Sequence, residues 1–559
     1  MLDRLLLVGL ATALVYAITR IRYARLEQFK KLPQLKPSPI WGHLSAFNDF
    51  LKQCRPDCHS DEVFAQIRSA LGNPPMLLMD LRPVTAPILI ISDHEAAERV
   101  SKSTKVFPWS VPKSPTMKGL KYLIGPLSLL TKDNEEWKQI RKAFNPGFAP
   151  SHLMGMLPAI LDKTWIFLRH LDSFVASGEP VALDKPLINL TFDIIGAVTM
   201  DVDFDAQHMN KADRGELIRL YDDMIRSYSN IRAASPWWFH PWREYTRMSL
   251  ASRIDSLLKP IIREEYARQQ SGSAKQSKSV LALSLHGTDK LTELRVSQAC
   301  DQIKTFLFAG HDTTSILLSW IFYELSRCPR ALKAVRDELD DIFGPDPSPD
   351  SVRARLLAPG GEDLVSRMSY ISAVIKEALR LHPPAGSARM APPGSGFTLP
   401  NGEGEEVCVD GFVLYLCASH VQRDPKVYGE TANDFVPERW LGDTDTSEKT
   451  NDVVDDKSER KIPASAWRPF ERGPRNCIGQ ELANIEARVI LAVLARRYDF
   501  VKVGLGEFEL DEKGQPILDE KGQYRVKSEL YSGQQVTAKP VDGMVMKVKL
   551  SPRVSSGQA

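Results

Sequence analysis

The sequence has almost no net charge, because 72 lysine and arginine residues are balanced by 70 aspartate and glutamate residues. The resulting charge of +2 provides no global positive field and gives no reason to expect a nucleic acid partner, although local basic patches remain open. Cysteine is also scarce, with seven scattered residues among 559, an odd number that predicts reduced thiols facing the cytosol rather than a disulfide framework. The hydrophobic content of 43% is enough for a large folded core.

One long hydrophobic run lies at residues 5–19. At about fifteen residues it is short for a bilayer span, which takes about 20. It lacks a clear small-residue cleavage site, and basic residues follow it from Arg20 to Lys31, which favours a retained anchor with the downstream chain in the cytosol. Three prolines between residues 33 and 39 then stiffen the chain. We predict a membrane anchor over residues 1–22, a basic proline-rich hinge over residues 23–40 and one catalytic domain over residues 41–559.

Hydrophobic periodicity predicts helices over most of the chain, with strand-like pieces at residues 76–79 and 87–91 and again near the C-terminus. The fold class expected from this pattern is mainly α with small β-sheets. Residues 441–460 are rich in acids and nearly free of apolar side chains, which predicts a solvated loop. The aromatic stretch at residues 236–242 fits either a membrane interface or core packing.

Cys477 lies in the setting that a thiolate metal ligand needs. Apolar residues recur every three to four positions from residue 482 to residue 493, so a helix is predicted to begin just after this cysteine. The unpaired N–H groups and positive dipole end of a helix N-terminus favour a negatively charged sulfur. Gly473 and Gly479 allow close approach of a flat ligand, and Arg475 could pair with a carboxylate. A buried inert cysteine is the commoner alternative for one such residue alone.

The segment from Phe470 to Gly479, with Arg475 and Cys477 inside it, resembles the heme-binding loop of the cytochrome P-450 superfamily. The resemblance implies that Cys477 is the axial ligand of heme b, a thiolate that favours O–O cleavage. It also implies the cytochrome P-450 fold, with heme between a long distal helix and the cysteine loop with its proximal helix.

A long helical segment is predicted over residues 297–327, and its centre breaks the rules of helix propensity. Phe306, Ala309, Gly310 and Thr313 share one face, where the small Ala309 and Gly310 would leave room for a cofactor, and a Thr313 hydroxyl bonded back to the helix could loosen it. Gly and Thr alone are more typical of a kinked core helix. With Asp312, however, the segment resembles the acid-alcohol motif of the cytochrome P-450 distal helix. The resemblance implies that Asp312 and Thr313 are catalytic and relay protons during oxygen activation.

Glu377 and Arg380 lie one helical turn apart, which by itself indicates only an ordinary ion pair. Together with Arg439 they match the Glu-Arg-Arg network of the family. The resemblance implies that the three residues support the ligand loop and take no direct part in chemistry.

Trp137 and Arg141 are spaced to point the same way from a helix. An arginine stacked on an indole at the surface is the simpler interpretation of this pair alone. In the family, such a pair meets a heme propionate, as does an arginine that matches Arg389. We therefore predict that Trp137, Arg141, Arg389 and Arg475 form the propionate shell.

The resemblance covers nearly the whole chain after residue 40 and implies a microsomal monooxygenase that inserts one oxygen atom of O2 into an apolar organic substrate. No nucleotide-binding fingerprint is present, so we expect a separate NADPH-cytochrome P-450 reductase, with Arg468, Arg472 and Lys461 either forming its docking patch or lying in a solvated loop. The expected location is the endoplasmic reticulum membrane, with the catalytic domain in the cytosol, and the style is similar to fungal specialised-metabolism enzymes. Two alternatives are a heme-thiolate isomerase, dehydratase or peroxygenase that needs no reductase, and a non-enzymatic heme sensor.

Overall fold

The computed structural model describes residues 2–82, 84–228, 240–271, 277–443 and 462–555. This part of the chain is mainly helical with short strands, which confirms the predicted fold class. The helices are α1 (Leu2–Arg22), α2 (Leu44–Gln53), α3 (Ser60–Ala70), α4 (His94–Ser101), α5 (Lys121–Ile124), α6 (Asn134–Phe144), α7 (Pro150–Met154), α8 (Leu157–Ser177), α9 (Asp184–Met200), α10 (Glu216–Tyr228), α11 (Pro241–Gln270), α12 (Val280–Leu285), α13 (Glu293–Arg327), α14 (Pro329–Phe343), α15 (Pro349–Leu357), α16 (Gly361–Arg367), α17 (Ser369–Leu381), α18 (Ala418–Val421), α19 (Pro425–Tyr428), α20 (Gln480–Leu494) and α21 (Pro552–Ser555). The strands are β1 (Met76–Met79), β2 (Ile88–Ile91), β3 (Val181–Ala182), β4 (Ser387–Met390), β5 (Thr398–Pro400), β6 (Glu406–Cys408), β7 (Val413–Leu416), β8 (Tyr498–Lys502), β9 (Ser532–Gln534), β10 (Ala538–Pro540) and β11 (Val545–Leu550).

The chain divides into two units, of which unit 1 comprises Met1–Thr116, Gly386–Val427 and Pro463–Asn476. Its main sheet has the strand order β1-β2-β7-β4, with β2 and β7 parallel and the other neighbours antiparallel. The two predicted early strands are therefore confirmed as β1 and β2. Every residue of β1 is buried, and apolar side chains of the sheet and of α4 form the core of this unit.

Unit 2 comprises Met117–Ala385, Tyr428–Ile462 and Cys477–Ala559. Its long helix α13 begins at Glu293, before the predicted residue 297, because the Thr292 side chain accepts a hydrogen bond from the backbone N–H of Arg295 and caps the helix. Helix α13 packs against α9, α17 and α20. It ends at Arg327, because Pro329 cannot continue the hydrogen-bond ladder and instead opens α14.

The N-terminal helix is longer than the apolar run from which the anchor was predicted. Residues Arg4–Glu27 form a helix long and apolar enough to cross a membrane, and none of it is buried within the protein. The predicted hinge that follows is held to unit 1: Arg25 and Asp80 form an ion pair of 2.6 Å, and Leu32 is buried in the core. This segment is therefore packed against unit 1, and its role as a hinge stays a prediction.

Two predicted features fall largely outside the described residues. These are the acidic loop, whose residues 444–460 are not described, and the aromatic stretch at residues 236–242, of which residues 240–242 are described. Trp242 lies in the first turn of α11 and is 80% exposed, so core packing is wrong for this residue.

Candidate active site

Cys477 lies just before α20 in unit 2, and Gly479 occupies the N-cap position of that helix. The predicted helix after the cysteine is therefore confirmed. Cys477 is exposed and forms no disulfide, whereas Cys58, Cys300 and Cys417 are buried. A Cβ atom on Gly479 would lie 3.9 Å from the Cys477 sulfur, so the glycine leaves the approach to the sulfur open.

Arg141, on α6 of the same unit, lies within electrostatic range of that sulfur. Burial lowers the pKa of Arg141, and the charge of Cys477 acts in the opposite direction. The Arg141 Nε atom also donates to the Asn145 side chain at 2.8 Å. Trp137, one turn earlier on α6, is 4% exposed, whereas Arg141 is half-buried.

One accessible strip interrupts the otherwise buried middle of α13. Between Ala299 and Leu325, every residue is buried except Ala309, Gly310 and Thr313. The Thr313 hydroxyl donates to the Ala309 carbonyl at 2.6 Å, which confirms the predicted bond back to the helix. Of the four residues predicted to share this face, Ala309, Gly310 and Thr313 are therefore partly exposed, whereas Phe306 is buried.

Gly310 also has a packing role that its sequence did not predict. A Cβ atom at this position would lie 2.7 Å from the Ile195 side chain on α9, closer than real Cβ atoms approach. The Thr191 hydroxyl of α9 donates to the His311 carbonyl at 2.8 Å beside it. The missing side chain is therefore explained by the close contact of α9 and α13, while a place beside the cofactor stays a prediction for Gly310.

Asp312 is fully buried and has two partners that sequence reasoning missed. The Lys539 ammonium group lies 2.5 Å from one carboxylate oxygen, and the Thr537 hydroxyl donates to the other. Both partners belong to the β9–β10 hairpin region, more than 200 residues along the chain, so no local pattern connects them. Lys539 also influences Asp184, whose pKa is raised to about 6, chiefly by burial, although Lys185 and Lys539 act to lower it.

The predicted Glu-Arg-Arg network forms within unit 2. The Glu377 carboxylate is fully buried and accepts from Arg380 at 2.8 and 2.9 Å and from Arg439 at 3.1 Å. The Trp440 indole N–H donates to the same carboxylate at 2.8 Å, a partner that the motif did not predict. This network ties α17 to the segment at residues 437–443.

The remaining predicted site residues lie in unit 1. Arg389 on β4 is fully buried, and its guanidinium donates to Glu471 at 2.8 Å and to the Ser110 hydroxyl and Val111 carbonyl at 3.2 Å each. Arg475 is also buried, whereas Phe470 is half-buried. Of the predicted propionate shell, Trp137 and Arg141 thus share one unit while Arg389 and Arg475 share the other.

A sequence profile of the cytochrome P-450 family matches residues 33–527. The protein belongs to the cytochrome P-450 family. The chain is 30% identical over 459 residues to the cytochrome P-450 monooxygenase acrF of Aspergillus aculeatus, covering 79% of this chain and 88% of that protein. It is 27% identical over 520 residues to the cytochrome P-450 monooxygenase polC of Polytolypa hystricis, covering 91% and 88%. A bifunctional cytochrome P-450/NADPH–P-450 reductase of Fusarium oxysporum is 27% identical over 66% of this chain, which spans 32% of that protein.

Cytochrome P-450 proteins bind heme through a cysteine thiolate, and the residues present fit that group. The Cys477 thiol is accessible, and the small residues Ala309 and Gly310 of α13 are partly exposed. In unit 1, the buried Nε atoms of Arg389 and Arg468 have no hydrogen-bond partner among the described residues, as expected of donors for an anionic group. This protein is therefore a heme-dependent monooxygenase, and its family membership implies a redox partner and an apolar substrate.

The prediction that Arg468 belongs to an exposed basic docking patch or to a solvated loop is wrong. Arg468 of this cytochrome P-450 is only 3% exposed, and its guanidinium is bonded to the Ser101 hydroxyl at 2.7 Å and to Glu471 at 3.3 Å. Arg472 is half-buried and paired with Glu98 at 2.8 Å, and Lys461 lies outside the described residues. The sequence alone does not show which of these basic residues form buried ion pairs.

A second thiol cluster lies far from Cys477 in the sequence. Donor atoms of Cys54, Cys58 and Glu62 lie within 4.8 Å of one another in unit 1. However, Arg55 already forms two hydrogen bonds with the Glu62 carboxylate, at 2.8 and 3.0 Å. The pKa of Cys58 is raised to about 12, chiefly by burial. A neutral thiol beside a paired carboxylate is a poor ligand set, so these residues do not favour a metal site.

Proposed function

We propose that Cys477 is the axial thiolate ligand of heme b in this cytochrome P-450. The observation that carries the proposal is an exposed, reduced thiol directly before the N-terminus of α20. Free N–H groups and the helix dipole stabilise a thiolate there. The Glu377 network would hold the segments around this loop without touching the cofactor.

The heme would lie between α13 and the Cys477 loop with α20, all elements of unit 2. Ala309 and Gly310 would face one side of the ring, while Phe470 and Gly479 would lie beside the ligand. The carboxylates of the heme need cationic or N–H partners once they are buried away from water. We assign that role to Trp137, Arg141, Arg389 and Arg475.

When bound, the heme supplies the activation of O2. The protein supplies protons through Asp312 and Thr313. The Thr313 hydroxyl hydrogen is held by the Ala309 carbonyl, which leaves its Oγ1 lone pairs directed to the accessible strip of α13. Lys539 and the Thr537 hydroxyl hold the Asp312 carboxylate. A proton that reaches this carboxylate would move to Thr313 Oγ1, and the Thr313 hydroxyl would give its own proton to O2 as the redox partner reduces it.

We further propose an apolar small molecule of secondary metabolism as the substrate, supported by the fungal relatives named as monooxygenases. The relatives acrF and polC, whose lengths the chain covers to 88%, are named without a reductase, unlike the Fusarium protein. Electrons from NADPH would then arrive through a separate NADPH-cytochrome P-450 reductase. The apolar helix at Arg4–Glu27 supports a place on the endoplasmic reticulum membrane, with the catalytic domain cytosolic.

The decisive experiment is the carbon monoxide difference spectrum of the reduced, detergent-solubilised protein. We expect a thiolate-type Soret band that disappears in Cys477→Ser. It should persist in Cys408→Ser, which removes the other exposed thiol of the described chain. A band that survives in Cys477→Ser would overturn the ligand assignment.

The proton relay is tested by Thr313→Ala, with its buried neighbour Thr314→Ala as control. With reductase and a turnover substrate, Thr313→Ala should consume NADPH and O2 with little product, because proton delivery fails while electron transfer continues. A reductase-independent enzyme would be indifferent to this change. Equal product per NADPH in the two variants would contradict the relay.

A further inference from the structure

Glu471, the residue after Phe470, has a backbone conformation that its side chain does not favour. Its φ is +58°, in the left-handed region that non-glycine residues rarely adopt. Two residues later, Gly473 also has a positive φ, and a Cβ atom there would lie 2.0 Å from the Ser101 carbonyl oxygen. Glycine is therefore used where the backbone alone requires it, whereas residue 471 keeps a long charged side chain. Such strained positions persist where surrounding contacts hold them and often occur at functional sites.

The contacts of the Glu471 side chain lie within unit 1. Its Oε2 atom accepts from Arg389 Nη2 at 2.8 Å, and its Oε1 atom accepts from Arg468 Nη2 at 3.3 Å. The Ser101 hydroxyl bridges Arg468, at 2.7 Å, and Glu471, at 3.4 Å. Burial alone would raise the pKa of Glu471, but Arg389, Arg468 and Lys113 outweigh it and lower the pKa, so the carboxylate is ionised at neutral pH.

This cluster has a charge excess. The Glu471 carboxylate faces the two buried guanidinium groups of Arg389 and Arg468, which leaves one positive charge, and Lys113 adds to the positive field. Glu98 and Arg472 also act on Arg468, but they are paired with each other and have opposite charges. The Nε atoms of both arginines are buried and lack a hydrogen-bond partner among the described residues. Buried cations with unused donors call for a further anion.

We propose that Glu471 is a positioning residue for the heme: it fixes Arg389 and neutralises one of the two buried arginine charges, so that the arginine pair presents a single net positive charge to a heme propionate. The proposal rests on the proposed function, because it takes Arg389 as a propionate partner. Glu471 touches neither the substrate nor the iron in this scheme and acts through Arg389.

The competing explanation is that Glu471 only shapes the loop before Cys477. The two explanations differ for Glu471→Gly, since glycine adopts φ +58° without strain but removes the carboxylate. A loop-shaping role predicts that Glu471→Gly behaves like the wild type. The electrostatic role predicts that Glu471→Gly and Glu471→Gln change the heme in the same direction.

The test is a reductive titration of the heme-loaded protein. Removing the carboxylate adds one positive charge near the heme and so favours the ferrous state. We expect Glu471→Gln and Glu471→Gly to raise the ferrous-to-ferric ratio at a fixed potential by several-fold to about tenfold, or up to about 59 mV for one electron. Glu471→Asp, which restores a carboxylate at a position where Asp tolerates positive φ, should return most of the way to the wild-type ratio.

The matched control is Glu406→Gln, which removes the exposed partner of Arg99 in the same unit and changes the total charge equally. We expect it to alter the ratio less than twofold. If Glu471→Gln and Glu471→Gly shift the ratio no more than Glu406→Gln does, the proposal is overturned; if one of them does not fold, the other decides. A wild type without the thiolate-type carbon monoxide band would instead contradict the proposed function, so the two failures are distinguishable.

Discussion

Replacing Lys539 by methionine should strongly destabilise the protein. In Lys539→Met, the Asp312 carboxylate loses its only ion-pair partner in the described chain while remaining 0% exposed. Breaking a buried pair from one side typically costs about 3–5 kcal/mol.

The magnitude follows from burial on both sides of the pair, since the Lys539 side chain is 8% exposed and the Asp312 side chain is 0% exposed. Solvent cannot replace the lost ammonium group, so the cost of an unpaired buried charge applies. We expect the free energy of unfolding of Lys539→Met to fall by about 3–5 kcal/mol relative to the wild type.

The assay is urea unfolding of the heme-loaded protein, followed by circular dichroism. Lys527→Met is the matched control, because Lys527 pairs with Glu507 at 2.6 Å but both side chains are exposed, and such pairs are worth about 1 kcal/mol or less. Asp312→Asn combined with Lys539→Met should recover much of the loss, because no unpaired charge then remains buried. A deficit of Lys539→Met below about 1 kcal/mol would refute the reasoning.

Three further changes test other parts of unit 2. Glu377→Ala leaves two buried or nearly buried arginines without their carboxylate and should lower the free energy of unfolding by about 3–5 kcal/mol. The control Glu507→Ala should lower it by less than about 1 kcal/mol, and equal urea midpoints for the two variants would contradict the role of the network. Gly310→Ala should destabilise by about 1–3 kcal/mol because its Cβ would lie 2.7 Å from Ile195, and the same thermal-unfolding measurement should show a smaller loss in an Ile195→Ala background. Burial raises the pKa of Glu486 well above 4.5, so the folded state keeps a proton that the unfolded state releases and stability is lost as the pH rises above 4.5. The free energy of unfolding of Glu486→Gln should therefore rise relative to that of the wild type between pH 5 and 8, by up to about 1.4 kcal/mol per pH unit. Plots of unfolding free energy against pH that run parallel for the two proteins would refute this.

Features that depend on residues close together along the chain could be predicted from the sequence. The spacing of apolar residues after Cys477 predicted α20, and the Thr313 hydroxyl bonds to Ala309 as helix geometry requires four residues apart. Glu377 and Arg380 meet because residues three apart share a helix face. Arg439 was placed in that network by the family resemblance, since nothing local links it to Glu377. The propionate roles of Trp137, Arg141, Arg389 and Arg475 stay predictions.

The sequence could not show which side chains from distant segments share a buried position. Arg468 looked like a surface cation, yet its guanidinium is buried against Ser101 and Glu471, and its hydrogen bonds offset the desolvation. Gly310 looked like room for a cofactor, yet Ile195 occupies the space where its side chain would lie.

Helix periodicity and motif spacing are local properties of the chain, and they are enough to identify the family, to place a thiol before α20 and to place Asp312 and Thr313 on α13. The partners of the charged groups depend instead on how distant segments pack together. Asp312 is held by Lys539, more than 200 residues away, and Glu471 lies between two buried arginines. A buried charge must find its counter-ion wherever packing brings one close, and proximity of that kind is set by the fold and not by separation along the chain.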